Sequence, residues 1–131
     1  WKGGDPNPGT AFNVIGDGTY VIQPGYYFYK QVCRAGQPGM AVARTHATET
    51  GIALMGFASN GTKNADSFVV INHSDKDWEV DINLKGTEHK AFDAYRSSPD
   101  EKYAPVGKYA IDGDNIKYFA PKGSVTTFFG L

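Results

Sequence analysis

Asp77-Trp78-Glu79-Val80-Asp81-Ile82-Asn83-Leu84 alternates without a break between polar and apolar side chains. Successive side chains of a strand point to opposite faces. The stretch therefore predicts a β-strand with Trp78, Val80, Ile82 and Leu84 on a core and Asp77, Glu79, Asp81 and Asn83 in water. Lys85-Gly86 closes it. Just upstream, Ser67–Asn72 (SFVVIN) is continuously apolar apart from its ends, the pattern of a strand buried on both faces. Met40–His46 and Ile52–Ala58 precede it as strand-like runs, punctuated by Gly51 and the polar segment Ser59–Asn64. His89–Ser97, Lys102–Tyr109, Ile116–Phe119 and Ser124–Phe129 follow, with a hairpin-type turn at Asp112-Gly113-Asp114. Seven or eight short strands at intervals of about ten residues predict a mainly β fold, an antiparallel β-sandwich.

One segment breaks the pattern. In Pro24–Ala35, Tyr26, Tyr29 and Cys33 recur at helical spacing, and Phe28, Val32 and Ala35 form a neighbouring stripe. Pro24 suits the first helical turn, where a missing N–H has no intrahelical partner. Gly36 is placed to end the helix in the left-handed conformation, and Pro38 blocks continuation. One N-terminal helix over residues 24–35 is expected. Before it, residues 1–18 read as a Gly/Pro-rich loop with an extended piece at Phe12–Ile15, and Thr19–Ile22 as a short strand. The organisation is a lead-in over 1–23, the helix over 24–35 and the sandwich over 40–131, one domain overall.

The 131 residues suffice for one core without staples. Sixteen Gly and seven Pro fit many turns. A net charge of −1 with no basic run argues against nucleic acid. No apolar run approaches the roughly 18–20 residues that span a bilayer. The single cysteine, Cys33, excludes an internal disulfide, and its apolar helical neighbours predict buried packing. Trp1 opens directly into a polar segment without a leader pattern, as a piece of a longer protein would.

Catalytic and metal-binding patterns are lacking. Asp77, Glu79 and Asp81 are the wet face of a strand, not a carboxylate pair across a substrate. His46, His73 and His89 lack metal-ligand spacing. Asp112–Asn115 lacks the later Glu of a calcium loop. Gly16–Tyr20 has the glycines of a turn, not of a phosphate cradle. Asn60-Gly61-Thr62 and Asn72-His73-Ser74 match the N-glycosylation pattern but read as turns. No cofactor is expected.

Four stretches together resemble the C-terminal β-domain of family 30 glycoside hydrolases. Pro24–Arg44 is similar to the last barrel helix and the Pro-Gly turn that leads into that domain. Phe68–Asp75 is similar to its VVxxN strand and polar turn, and Ala94–Ser98 to its AYRTS-like segment. Phe119–Pro121 with Ser124–Gly130 is similar to its closing LPAxSVTTFVG strand. Trp1–Gly4 fits the tail of the last barrel strand. Lys122-Gly123 and Gly36-Gln37 depart from the family pattern. The resemblance implies a β-sandwich beside a (β/α)8 barrel whose two catalytic glutamates lie upstream, so no residue here inherits either role. It implies a secreted or periplasmic enzyme acting on a polysaccharide or oligosaccharide. Two roles follow. The first is a non-catalytic carbohydrate-binding module; the alternative is a structural domain that buttresses the barrel of the same parent chain. A sugar-binding face calls for exposed aromatic rings. The candidates are Tyr26, Tyr27, Tyr29, Trp78, Tyr103 and Tyr118, with Trp78 sharing the core parity of Val80 and Ile82. The binding module is the favoured expectation.

Overall fold

The structure, a computed structural model, describes residues 10–131. The elements are β1 (Phe12–Val14), β2 (Tyr20–Ile22), α1 (Pro24–Ala35), β3 (Ala41–Ala43), β4 (Ile52–Ala58) and β5 (Ser67–Asn72). They continue as β6 (Trp78–Asn83), β7 (Ala91–Ser97), β8 (Ala104–Ala110), β9 (Asn115–Ala120) and β10 (Ser124–Gly130). Six strands form one antiparallel sheet in the order β3-β4-β5-β10-β7-β8; β6 and β9 form a second sheet, and β1 and β2 a hairpin. Among the described residues the strands number ten rather than seven or eight, because both short N-terminal segments are true strands.

The six-stranded sheet is covered on both faces. Phe68, Val70, Phe92, Ala94 and Phe128 meet Ile82, Ile116, Tyr118 and Ala120 of the second sheet. On the other face Val69 and Val125 pack with Ala35, Phe28 and Val32 of α1. The apolar run of β5 thus has the two-faced burial its sequence predicts, with one face under a helix and the other under a sheet. β6 and β9 have one inward face each, so their residues alternate: Val80 and Ile82 pack inward, as do Ile116, Tyr118 and Ala120.

Several local expectations change. β3 stops at Ala43, because Thr45 Oγ1 donates to Leu54 O at 3.0 Å and replaces the ladder beyond that point. β8 starts only at Ala104, since Tyr103 sits at φ +57° and breaks the extended chain. The 112–115 turn forms, with Asp112 and Asn115 exchanging backbone hydrogen bonds. Yet β8 and β9 diverge at once into different sheets. Gly36 is extended (φ −89°, ψ 115°), not left-handed. It is glycine for room: a Cβ there would lie 2.7 Å from the Phe57 ring. The Gln37 amide instead caps the helix, donating to Cys33 O at 2.6 Å. Cys33 is exposed, not buried, because it lies on the side of α1 away from the sheet.

Asn72 is buried and fully bonded. Its Nδ2 donates to Lys76 O and Ala120 O, both at 2.9 Å, and its Oδ1 accepts from Ser74 N and Ser74 Oγ. It ties the β5–β6 turn to the end of β9. Asn72→Ala should remove its bonds to Lys76 O, Ala120 O and Ser74 N and lower the unfolding free energy by about 2–4 kcal/mol, measured by urea denaturation. A Tyr118→Phe change, which removes one buried hydroxyl partner of Thr126, should cost less, about 1 kcal/mol.

Candidate functional site

Helix α1 divides into three stripes. Phe28, Gln31, Val32 and Ala35 face the sheet. Gln31 is fully buried; its Nε2 donates to Ser97 Oγ at 2.8 Å, and its backbone O accepts from Thr127 Oγ1 at 3.0 Å. Ser97 Oγ donates to Tyr27 O and Ser67 Oγ to Ala35 O. These bonds set the rotation of α1. One flank then carries Tyr27, Lys30 and Arg34 toward β7 and β8, while Tyr26, Tyr29 and Cys33 point away from the sheet.

The outer stripe continues into the hairpin. The register pairs Phe12 with Ile22 and Val14 with Tyr20, which places these four on one face. Every residue of β1 and β2 is exposed. The Phe12 ring lies 5.5 Å from Tyr20 and 5.3 Å from Tyr26, and Tyr26 lies 5.2 Å from Tyr27. Phe12, Val14, Tyr20, Ile22 and Tyr26 make a continuous apolar and aromatic surface, and Tyr29 is exposed one turn further along α1.

The six sequence candidates do not converge on one binding face. Tyr26 belongs to this outer surface, and Tyr29 is exposed beyond it. Tyr27 is on the opposite flank, with Lys102 Nζ 5.9 Å from its ring centre. Tyr103 stacks on Tyr95 (5.0 Å, 13°) and has Lys30 Nζ 4.3 Å above it, so both ring faces are taken. Trp78 packs against the core, donates through Nε1 to Ser74 Oγ at 3.0 Å, and is capped by Lys76 Nζ at 3.8 Å. Tyr118 is a correction. It is only 3% exposed, inside the sandwich, with its hydroxyl 2.6 Å from Thr126 Oγ1, and it cannot present a ring to a sugar. It sits in the middle of β9.

Two aromatics near Tyr103 escaped the sequence reading. Tyr95 and Phe129 lie on the helix-facing side of the sheet, and their rings meet at 6.0 Å. Their signal was parity: each is two residues from a side chain that anchors α1, Ser97 and Thr127 respectively. Arg96 clamps the loop that delivers Tyr103. Its Nε and Nη2 donate to the two carboxylate oxygens of Glu101 at 2.6 and 2.7 Å. This pair, helped by Ser98 Oγ, holds the Glu101 carboxyl below its ordinary range. Burial pushes the Tyr103 hydroxyl up, although the neighbouring Arg34 opposes it.

A cleft of about 210 Å³ opens between the sheets beside β4, floored by Leu54, Phe68, Ile82 and Phe92. It exists because two strands cannot cover six. Its carboxylate, Asp66, is already engaged by Ser59 N at 2.8 Å and Thr87 Oγ1 at 2.7 Å. Burial alone would raise the Asp66 carboxyl, but these donors and the nearby His89 bring it below its ordinary value. Among the described residues no three His, Cys, Asp or Glu side chains gather into a metal site, and no helix is long and apolar enough to cross a membrane.

No protein-family profile and no curated protein matches the chain. Solved structures do. A GH30 endoxylanase from Clostridium papyrosolvens C71 superposes with a TM-score of 0.75 at 19% identity, over 83% of this chain and 28% of that one. A family 30 subfamily 8 xylanase from Clostridium acetobutylicum gives 0.78 at 18% identity, over 98% and 32%. The catalytic domain of GH30 xylanase C from Talaromyces cellulolyticus gives 0.69 at 15% identity, over 92% and 27%. The fold is that of the C-terminal β-sandwich region of family 30 xylanases. The chain spans about a third or less of the length of these enzymes.

Asp66 and Glu101 both lie below their ordinary values of 3.8 and 4.5. A carboxyl depressed by folding contributes stability that is complete above its unfolded value and is lost as pH falls through the folded one. The melting temperature should therefore hold at neutral pH and decline progressively below about pH 5. Glu101→Gln should lower it at pH 7 and flatten the acid decline in a pH series of thermal melts.

Proposed function

We propose that this chain is the accessory β-domain of a secreted or periplasmic, polysaccharide-degrading glycoside hydrolase. In this reading it docks on the catalytic (β/α)8 barrel of the same parent chain through the β1–β2 hairpin and the outer stripe of α1. The supporting observation is the hairpin itself. Two three-residue strands carry Phe12, Val14, Tyr20, Val21 and Ile22, every one of them exposed. A two-stranded hairpin is marginal alone in water, and an uncovered patch of this kind marks an interface. A barrel is the occupant proposed because the chain matches about a third or less of longer enzymes whose fold it shares. By the resemblance the two catalytic glutamates are expected upstream of this segment, which supports reading the domain itself as non-catalytic. Export is supported by a further match, a conserved exported protein from Bacteroides fragilis (TM-score 0.64, 18% identity, 85% of this chain and 22% of that one).

This reverses the order in which the sequence ranked the two roles. The aromatic block of α1 is explained better by a docking face than by a sugar platform, since Tyr26 packs against Phe12 of the exposed hairpin. The isolated chain should self-associate in sedimentation experiments, and Val14→Ser with Tyr20→Ser should render it monomeric without lowering its melting temperature. A wild-type chain that stays monomeric while its hairpin amides resist hydrogen exchange would show a hairpin stable without cover, and the docking proposal would fall. Reducing sugar released by the purified chain would overturn the non-catalytic reading.

A further inference from the structure

The other flank of α1 borders a depression that the docking surface does not include. Two adjoining hollows, about 230 and 290 Å³, share Arg34 and Phe129 and form one open groove between α1 and the ends of β7 and β10. Phe129 is the half-exposed floor. Tyr95 and Tyr103 form one wall, Asp93 lies beside them, and Asn64 closes the far end.

The polar groups here are only partly committed: Asn64 Nδ2 donates to Thr62 Oγ1 at 3.4 Å and Arg34 bonds the Tyr103 hydroxyl, which leaves further N–H donors on both and the Asn64 carbonyl oxygen free. Arg96–Glu101 is the sole ion pair among the described residues, so Arg34 and Asp93 share a groove without neutralising each other. The Asp93 carboxylate has no hydrogen-bond partner among the described residues, while the Arg34 guanidinium lies beside the Tyr103 hydroxyl. The wall is held at a cost. Tyr103 is a bulky residue at φ +57°, a left-handed conformation that strains a side chain of this size. The Arg96–Glu101 clamp and the Tyr103 N to Ser97 Oγ bond of 3.2 Å maintain it.

We infer that this groove is a saccharide subsite that takes a pyranose unit of a neutral polysaccharide. The inference rests on reading the chain as part of a polysaccharide-degrading enzyme. A pyranose has an apolar C–H face and a rim of hydroxyls that both donate and accept. Phe129 and the edge of Tyr95 offer the apolar contact. Arg34 supplies donors, Asp93 acceptors and the Asn64 amide both. An open groove lets a polymer run through, as an enclosed pocket would not.

Affinity electrophoresis of the full chain through gels containing xylan, β-glucan, galactan or agarose tests this. Retardation is expected in at least one gel. Arg34→Ala, an exposed change, and Phe129→Ala should each weaken it about tenfold or more, and Phe119→Ala, an exposed aromatic on β9 of the second sheet, should leave it intact. Melting curves identify any variant that fails to fold, and Arg34→Ala carries the test if Phe129→Ala does. Free migration of the folded wild type in every gel would overturn the subsite, as would retardation that survives both changes. Neither result touches the docking proposal, which is read by association of the hairpin variant.

Discussion

Two adjacent threonines hold the three layers in place. Thr126 and Thr127 sit side by side in β10, both fully buried, and point to opposite faces of the sheet. Thr126 meets the Tyr118 hydroxyl of the second sheet at 2.6 Å, and Thr127 donates to the Gln31 carbonyl of α1 at 3.0 Å. A buried hydroxyl without a partner is costly, so each threonine admits only an arrangement that brings its partner within reach. Strand β10 is therefore central in two senses. It lies between β5 and β7 in the sheet, and between helix and second sheet through its side chains.

The same polar logic recurs at the edges of the core. Asn72 closes the β5–β6 turn onto β9, Asp66 joins the start of β5 to the loop before β7, and Ser97 joins the end of β7 to α1. Apolar burial drives the layers together but does not choose their register. These few satisfied polar groups do so. The six-against-two arrangement also leaves part of the inner face of β4 uncovered, which gives the cleft beside Leu54.

Fixing α1 by Gln31 and Ser97 divides its remaining surface. One flank meets the hairpin and forms an apolar face suited to a neighbouring domain. The other looks along the sheet to Tyr95, Tyr103 and Phe129. The aromatic residues of a short stretch thereby serve two surfaces, and the helix between them is the partition.

The sequence alone determined most of the strands, the one helix of the described residues and the faces of β5 and β6. Alternation in Asp77–Leu84 and unbroken apolarity in Ser67–Asn72 are local signals, because strand geometry converts them directly into faces. The similarity of SVTTFFG and its companion stretches to one glycosidase family pointed to the same sandwich. Tertiary structure alone decided which aromatics are surface and which are core. Tyr118 and Phe119 are neighbours in β9, yet one is buried and the other exposed; Tyr103 lies outside β8 at a positive φ and still stacks on Tyr95. Cys33 is exposed and Gly36 extended for the same reason, since each answers to a partner distant in the chain: the sheet that lies on the other side of α1, and the ring of Phe57. Parity says that a side chain has a face, but what lies on that face depends on the layers that polar contacts between remote residues have locked together.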